Sequence, residues 1–237
     1  PKRVTGAAMG AKARGGAVQK SSAVAEGGTI AQLIGGQSAS GIADTNTAEL
    51  RGGTVGSMIG GESRTGAAKG NAAAVRGGSV TSAAGGKGGA ASEGNSVLMQ
   101  GGTAANLVGG TGASSAKDGV RVRGGSVTSS IIGGTAAHGN AVQSTAVIEG
   151  GTVRGTVLGA SASGKAEQNA VTLTGGDIRA DIIGARAGGD AEANTITVNT
   201  NITGNVAGAA AGAKALKNVI DLGNITVRGN VTGGQGN

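Results

Sequence analysis

Residues 46–61 read NTAELRGGTVGSMIGG, and residues 169–184 repeat the pattern as NAVTLTGGDIRADIIG. Each copy begins with asparagine, places apolar residues at alternate positions, passes through a glycine pair and continues into a second apolar run. Alternation of this kind is typical of a half-buried strand, and a glycine pair lets the chain turn at low steric cost. One copy is too small to bury its own apolar side chains, so the pattern predicts many stacked copies.

The first glycine pair recurs along the whole chain with a nearly fixed period. Its first residues are separated by 25, 25, 24, 23, 26 and 25 positions: Gly27, Gly52, Gly77, Gly101, Gly124, Gly150 and Gly175. Degenerate versions, Thr200-Asn201 and Gly223-Asn224, keep the step. Such a period indicates a solenoid, propeller or array, and segments of about six to eight residues are too short for helices.

We therefore expect an all-β fold, a parallel β-helix (β-solenoid) of about ten coils with about 25 residues each, forming one domain over residues 1–237. The general preference for right-handed crossovers favours a right-handed helix. Strand one corresponds to Asn169–Leu173 and strand two to Thr29–Ile34, while Gln37–Thr45 is a small, polar third segment. The second glycine pair, such as Gly35-Gly36, is expected to turn the chain, and Ile183 is expected to be buried. One inward column is predicted to contain Val4, Ile30, Val55, Val80, Ala104, Val127, Val153, Ile178, Ile202 and Val227.

The composition restricts the core and the chemistry. The chain has 52 glycines and no phenylalanine, tryptophan, tyrosine or cysteine. Its interior must therefore be built from Val, Ile, Leu and Ala, and disulfides and thiolate metal sites are excluded. Glycine, serine and alanine also dominate disordered chains, but the regular alternation of β-branched residues favours an ordered one. No apolar run approaches the roughly 18 residues of a membrane helix, so we expect no membrane insertion.

A column of asparagines opens strand one in successive coils, with Asp118 at the same place in another coil. Its members are Asn46, Asn71, Asn95, Asn169, Asn194 and Asn218. Stacked asparagine side chains can hydrogen-bond along a rod and tolerate turn conformations. We expect a structural ladder or a row of turn formers here rather than a ligand site.

Arginines recur at two positions of the repeat, in a chain with a formal net charge of +7. Arg51, Arg76 and Arg123 precede the glycine pair, with Gln100 between them. A second set, Arg154, Arg179 and Arg228, follows the inward Val/Ile, with Thr203 between. Stacking would turn each set into a line of like charge, for which a polyanion such as an acidic polysaccharide is a reasonable partner. The alternative is a solvated face. Nucleic acid is not expected, because no aromatic side chains exist to stack on bases.

Candidates for catalysis are few. His138 is the only histidine and lies in a polar third segment, where an exposed loop residue is expected. Asp177, Arg179 and Asp181 alternate along one strand and form the only enzyme candidate, since polysaccharide lyases on β-helices use acidic calcium ligands with an arginine. A row of solvated ion pairs is the favoured interpretation. We expect no enzyme activity, no metal and no cofactor.

Residues 169–185 and 218–234 resemble the glycine-rich repeats of bacterial autotransporter passenger regions, which run Asn-x-Val-x-Ile-x-Gly-Gly-x-Val and then Val-Tyr-Gly-Gly. The resemblance covers nearly the whole chain and implies a secreted, cell-surface β-helical stalk or adhesin. The repeat departs from the family pattern where the tyrosine is replaced by Ile34, Ile59, Ala84, Val108 and Leu158. A second expected departure is that this chain includes no membrane-anchoring barrel.

The sequence thus favours a non-enzymatic extracellular rod at the cell surface, acting as an adhesin stalk or a filament subunit. A polyanion-, polysaccharide- or ice-binding surface protein is the alternative. The outward column Thr29, Thr54, Ser79, Thr103, Ser126, Thr152, Asp177 is single and interrupted, whereas ice binding needs a regular threonine array. Because the repeat is cut within a coil at both ends, we expect a segment of a longer chain or a unit that associates end to end.

Overall fold

The computed structural model describes residues 3–237, with side-chain burial from residue 6 onward. Regular structure in this part of the chain is entirely β, in a parallel β-solenoid of about nine turns with about 25 residues per turn. Each full coil contributes to each of three sheets in the same order, with one strand per sheet except that one coil gives sheet 1 two short strands, Val206–Ala207 and Ala210–Ala211. The predicted all-β solenoid and its period are confirmed, while the handedness stays a prediction.

Sheet 1 holds the long strands and sheets 2 and 3 the short ones. In sheet 1 the strands are Arg3–Ala13, Thr29–Ser38, Thr54–Ser63, Ser79–Gly88, Thr103–Gly112, Ser126–Ala136, Thr152–Ala162, Asp177–Ala187, Val206–Ala207, Ala210–Ala211 and Val231–Thr232. In sheet 2 they are Val18–Gln19, Ala43–Asp44, Ala67–Lys69, Ala91–Glu93, Ser114–Ala116, Ala141–Val142, Ala166–Glu167, Ala191–Glu192 and Ala215–Leu216. In sheet 3 they are Ser22–Ala25, Thr47–Leu50, Ala72–Val75, Ser96–Met99, Gly119–Val122, Thr145–Ile148, Ala170–Leu173, Thr195–Val198 and Val219–Leu222.

The first glycine pair makes the turn from sheet 3 into sheet 1. Its second residue has positive φ in each coil where the pair occurs, as at Gly28 (81°), Gly53 (84°) and Gly176 (104°). This left-handed backbone region carries little penalty for glycine and a substantial one for residues with a Cβ atom. The repeat of the pair therefore follows from the repeat of the turn.

The second glycine pair does not turn the chain, contrary to the expectation from the sequence. The strand Thr29–Ser38 runs straight through Gly35 and Gly36. A Cβ atom on Gly35 would overlap the backbone of Thr47, and one on Gly36 would lie 2.5 Å from the Asn46 carboxamide carbon. These glycines leave room for two neighbouring segments to approach, so strand two is longer than the predicted six residues and takes Gln37 and Ser38 from the third segment.

The sheet 1 strands Ser126–Ala136, Thr152–Ala162 and Asp177–Ala187 each contain 11 residues, one more than the four strands before them. The register passes from Ala104 opposite Val127 to Asn106 opposite Ser130, which inserts a residue on the second strand. The extra residue lies on the outer side of the sheet, and beyond it the strands Thr152–Ala162 and Asp177–Ala187 pair without interruption. The change is a β-bulge.

The predicted inward column is buried from Ile30 to Ile202. Val55, Ala104 and Val127 are fully buried, Val227 is partly buried, and the side chain of Val4 lies outside the described residues. The prediction that Ile183 is buried is wrong, because Ile183 is only half-buried and its neighbour Ile182 fills the core. A second, alanine-only cluster lies against sheet 2, where Ala141, Ala166 and Ala191 pack in the third segment, which was predicted to be small and polar.

Candidate functional site

The asparagine column forms a continuous hydrogen-bonded ladder over several coils. Asn46 Nδ2 donates to Asn71 Oδ1 (3.0 Å), and Asn71 Nδ2 donates to Asn95 Oδ1 (2.9 Å). The same oxygens accept the backbone N–H of the preceding member, as from Asn46 to Asn71 (2.9 Å). Each Nδ2 also caps a carbonyl of sheet 2, as Asn71 does for Ala43 (2.9 Å). A second run joins Asn169, Asn194 and Asn218 in the same way.

The ladder is interrupted between its two runs. Asp118 accepts from Asn95 Nδ2 (3.0 Å) and, through its other oxygen, from Ser115 Oγ (2.7 Å). In the next coil Ser144 takes the ladder position, and its buried Oγ has no hydrogen-bond partner. Burial raises the pKa of the Asp118 carboxyl, and the hydrogen bonds from Ser115 and Asn95 partly oppose this rise. An aspartate ends a donor–acceptor chain, because an ionised carboxylate only accepts.

A residue in the left-handed backbone conformation precedes every ladder position, and the sequence analysis did not predict it. Its φ is close to 55° in each coil, and only Gly70 and Gly94 are glycines among the nine residues Lys20, Thr45, Gly70, Gly94, Lys117, Gln143, Gln168, Ala193 and Lys217. This backbone bend aims the next side chain into the rod, where the ladder lies. The residue types carry no signal for it, since Lys, Gln and Ala rarely adopt positive φ.

The first arginine line is interleaved with glutamates. Sheet 3 register places Glu26 beside Arg51 and Glu149 beside Arg123, within the same line. Arg51 contacts Glu26 (3.2 Å) and Glu49 (3.0 Å), Arg76 also pairs with Glu49, and Arg123 pairs with Glu149 (2.9 Å). Hydrogen bonds from Arg51 and Arg76 hold the pKa of Glu49 below its ordinary value, although burial acts in the opposite direction. Each of the three arginines thus has a carboxylate partner.

The second arginine line is much less compensated. Arg154 and Arg179 are register partners in sheet 1, and the bridges from Ile178 to Ile202 and from Ile202 to Val227 place Thr203 and Arg228 next along the line. Arg179 contacts Asp177 (3.2 Å). Within residues 3–237, Arg154 and Arg228 make no ion pair. Both ends of this line therefore carry charge that the chain leaves to solvent.

A cleft of about 500 Å³ opens on this line. It exists because Thr203 is short and stands between the long side chains of Arg179 and Arg228. Its polar lining consists of Asp177, Arg179, Asn201, Thr203, Thr226 and Arg228. The arrangement can accept an anionic group between two guanidinium groups and hydrogen-bond its neighbouring hydroxyls.

The residues of the enzyme candidate do not converge on one point. Asp177 is held by Arg179, while Asp181 Oδ1 accepts the backbone N–H (2.8 Å) and Nδ2 (3.0 Å) of Asn205. Asn205 in turn accepts the backbone N–H of Asn230 (2.9 Å), which makes Asp181 the start of a second, exposed ladder. His138 is exposed on the surface. The described part of the chain contains no group of three or more His, Cys, Asp or Glu side chains arranged to hold a metal ion.

Comparisons with family models, curated proteins and solved structures give no match to this chain. Among residues 3–237 no helix is long and apolar enough to cross a membrane. The resemblance to autotransporter passenger repeats therefore rests on the repeat motif alone.

Proposed function

We propose that the chain is a non-enzymatic structural rod, exposed outside the cell as the stalk of a surface adhesin or as a filament subunit. The observation that carries this proposal is the unbroken parallel stacking of three sheets along one axis. At about 4.8 Å per coil, nine turns give a rod about 43 Å long. Such a shape projects whatever it carries away from a surface, and each added coil extends it by a fixed step.

The buried ladder supports a mechanical role. Side-chain hydrogen bonds between coils run parallel to the rod axis, in the same direction as the backbone bonds of the three sheets. A force along the axis is thus shared among about four parallel sets of bonds wherever the ladder joins two coils. The chain also contains no cysteine, so this resistance does not depend on the redox state of the surroundings.

Self-association through the ends of the rod is part of the proposal. The last strands expose side chains whose register partners in the preceding coil are buried, with Leu222 37 % and Val231 49 % accessible. These strands also present unpaired backbone groups, which are templates for pairing with another strand edge. Contact with a second copy or with a further repeat would bury these apolar side chains and pair these backbone groups.

Immunogold electron microscopy of the native cells tests the rod proposal, with cells lacking the coding gene as the matched control. We expect label on projections or filaments outside the cell, and loss of that label after brief treatment of intact cells with protease. Label confined to the cell interior, on dispersed protein, would contradict the proposal.

A further inference from the structure

The two arginine lines look equivalent in the sequence but differ in the structure. In the first line glutamates at 26, 49 and 149 lie between or beside the arginines and form ion pairs with them. The second line has three arginines and one carboxylate partner, Asp177. Like charges about 4.8 Å apart along a sheet oppose folding unless a counter-ion relieves them. The second line therefore retains a repulsion that the first line has removed.

The second line also has a shape that suits an extended ligand. Three strand spacings separate Arg154 from Arg228, so the line is about 14 Å long and parallel to the rod axis. Arg179 and Arg228 are about 10 Å apart, with the open position of Thr203 between them. Asn201 and Thr226 add exposed amide and hydroxyl groups beside the cleft. A ligand with regularly spaced acidic groups and many hydroxyls matches this surface.

We propose that the line Arg154–Arg179–Arg228 binds an acidic polysaccharide, with one carboxylate or sulfate group seated above Thr203 between Arg179 and Arg228. The absence of aromatic residues disfavours a nucleic acid, because no base-stacking platform exists. Polar lining with little apolar surface disfavours a folded protein partner, whose interface core is usually apolar. The binding does not rest on the rod function, since it can be measured with the purified chain.

Isothermal titration calorimetry is the suitable assay, because the chain has no aromatic chromophore and no cysteine for labelling. Polygalacturonate serves as the carboxylated probe and dextran sulfate as the sulfated one. Comparing the two titrations shows whether the site prefers carboxylate or sulfate groups. Single-stranded DNA of similar length is the third probe. We expect at least one polysaccharide to bind more tightly than the DNA. Binding should weaken steeply as ionic strength rises from about 0.01 to 0.1 M, because the screening length shortens from about 30 to 10 Å.

Two triple variants provide a matched comparison, since each lowers the formal net charge of +7 by three. Changing Arg154, Arg179 and Arg228 to serine should weaken polysaccharide binding about tenfold or more. The same change at Arg51, Arg76 and Arg123 should have a much smaller effect, although its net charge is identical. Equal loss in both variants would show that overall charge alone governs binding and would overturn the proposal.

A variant that binds the polysaccharide more tightly than the wild-type chain tests the proposal independently, because misfolding cannot explain a gain of affinity. Asp177→Asn frees Arg179 from its carboxylate partner in the second line, and Glu26→Gln removes one carboxylate partner of Arg51 in the first, with the same change in charge. We expect Asp177→Asn to tighten binding several-fold and Glu26→Gln to leave it nearly unchanged. No measurable binding by the wild-type chain, equal gains at both positions, or tighter binding of DNA than of either polysaccharide would each refute the inference.

Discussion

Replacing Asn71 by alanine removes a member from the middle of the first ladder run. The side chain makes four hydrogen bonds, accepting from the N–H and the Nδ2 of Asn46 and donating to Ala43 O and to Asn95 Oδ1, all between 2.9 and 3.0 Å. At about 1 kcal/mol each, their loss costs about 4 kcal/mol. The buried N–H of Asn46 also loses its acceptor, which adds about 1–2 kcal/mol. We expect a total destabilisation of about 5–6 kcal/mol.

Urea unfolding followed by far-UV circular dichroism measures this change. Asn140→Ala is the matched control, because Asn140 is exposed and its Oδ1 accepts one bond, from the N–H of Lys165 (2.9 Å). That control should lose about 1 kcal/mol or less. Hydrogen exchange should show that Asn71→Ala opens the coils on either side of it first. If both variants lose similar stability, the ladder is incidental and the reasoning is refuted.

The remaining predictions use the same unfolding assay or sedimentation. Gly86→Ala should lower the free energy of unfolding by several kcal/mol, because the new Cβ overlaps the side chain of Asn95. The control Gly94→Ala places its Cβ within 4 Å of no other atom and should lower it by only about 1 kcal/mol, because of the positive φ at this position. Equal losses in the two variants would contradict the steric explanation. Burial raises the folded-state pKa of Asp118, so the folded chain binds an extra proton and wild-type stability falls as pH rises from about 4 through that pKa. Asp118→Asn should remove this part of the pH dependence, and an unchanged profile would mean that the carboxyl is not desolvated. Lysines at Leu222 and Val231 together should reduce concentration-dependent association in sedimentation equilibrium, while lysine at the exposed Ile42 should not. An equal effect of both changes would argue against association through the rod end.

The period and alternation were sufficient to predict the solenoid, because both follow directly from the geometry of stacked strands. The asparagine column was recognisable for the same reason, since a residue that meets its own copy in the next coil recurs at the period. Gly36 could not be interpreted from sequence alone. Its role depends on the strand continuing past it and on the Asn46 carboxamide lying against it.

The glutamate partners of the first arginine line could have been predicted from the sequence. Glu26 and Glu149 occupy the same repeat position as Arg51 and Arg123, immediately before a glycine pair. Aligning every residue at that position, rather than the arginines alone, identifies a mixed-charge line. The left-handed conformation before each ladder residue could not have been predicted in this way, because residue types such as Gln168 and Ala193 give no indication of positive φ. The surrounding coils impose that conformation, so it appears only once they are stacked.

A deletion of two whole coils tests most directly the claim that this chain is a rod of interchangeable units. Removing residues 46–94 joins Thr45 to Asn95, which then follows a left-handed residue and continues the ladder as Asn46 did. We expect small-angle X-ray scattering to show an unchanged cross-section and a rod shorter by about 10 Å, with circular dichroism of the same shape. An unfolded or aggregated product, or a particle whose cross-section shrinks instead of its length, would contradict the account.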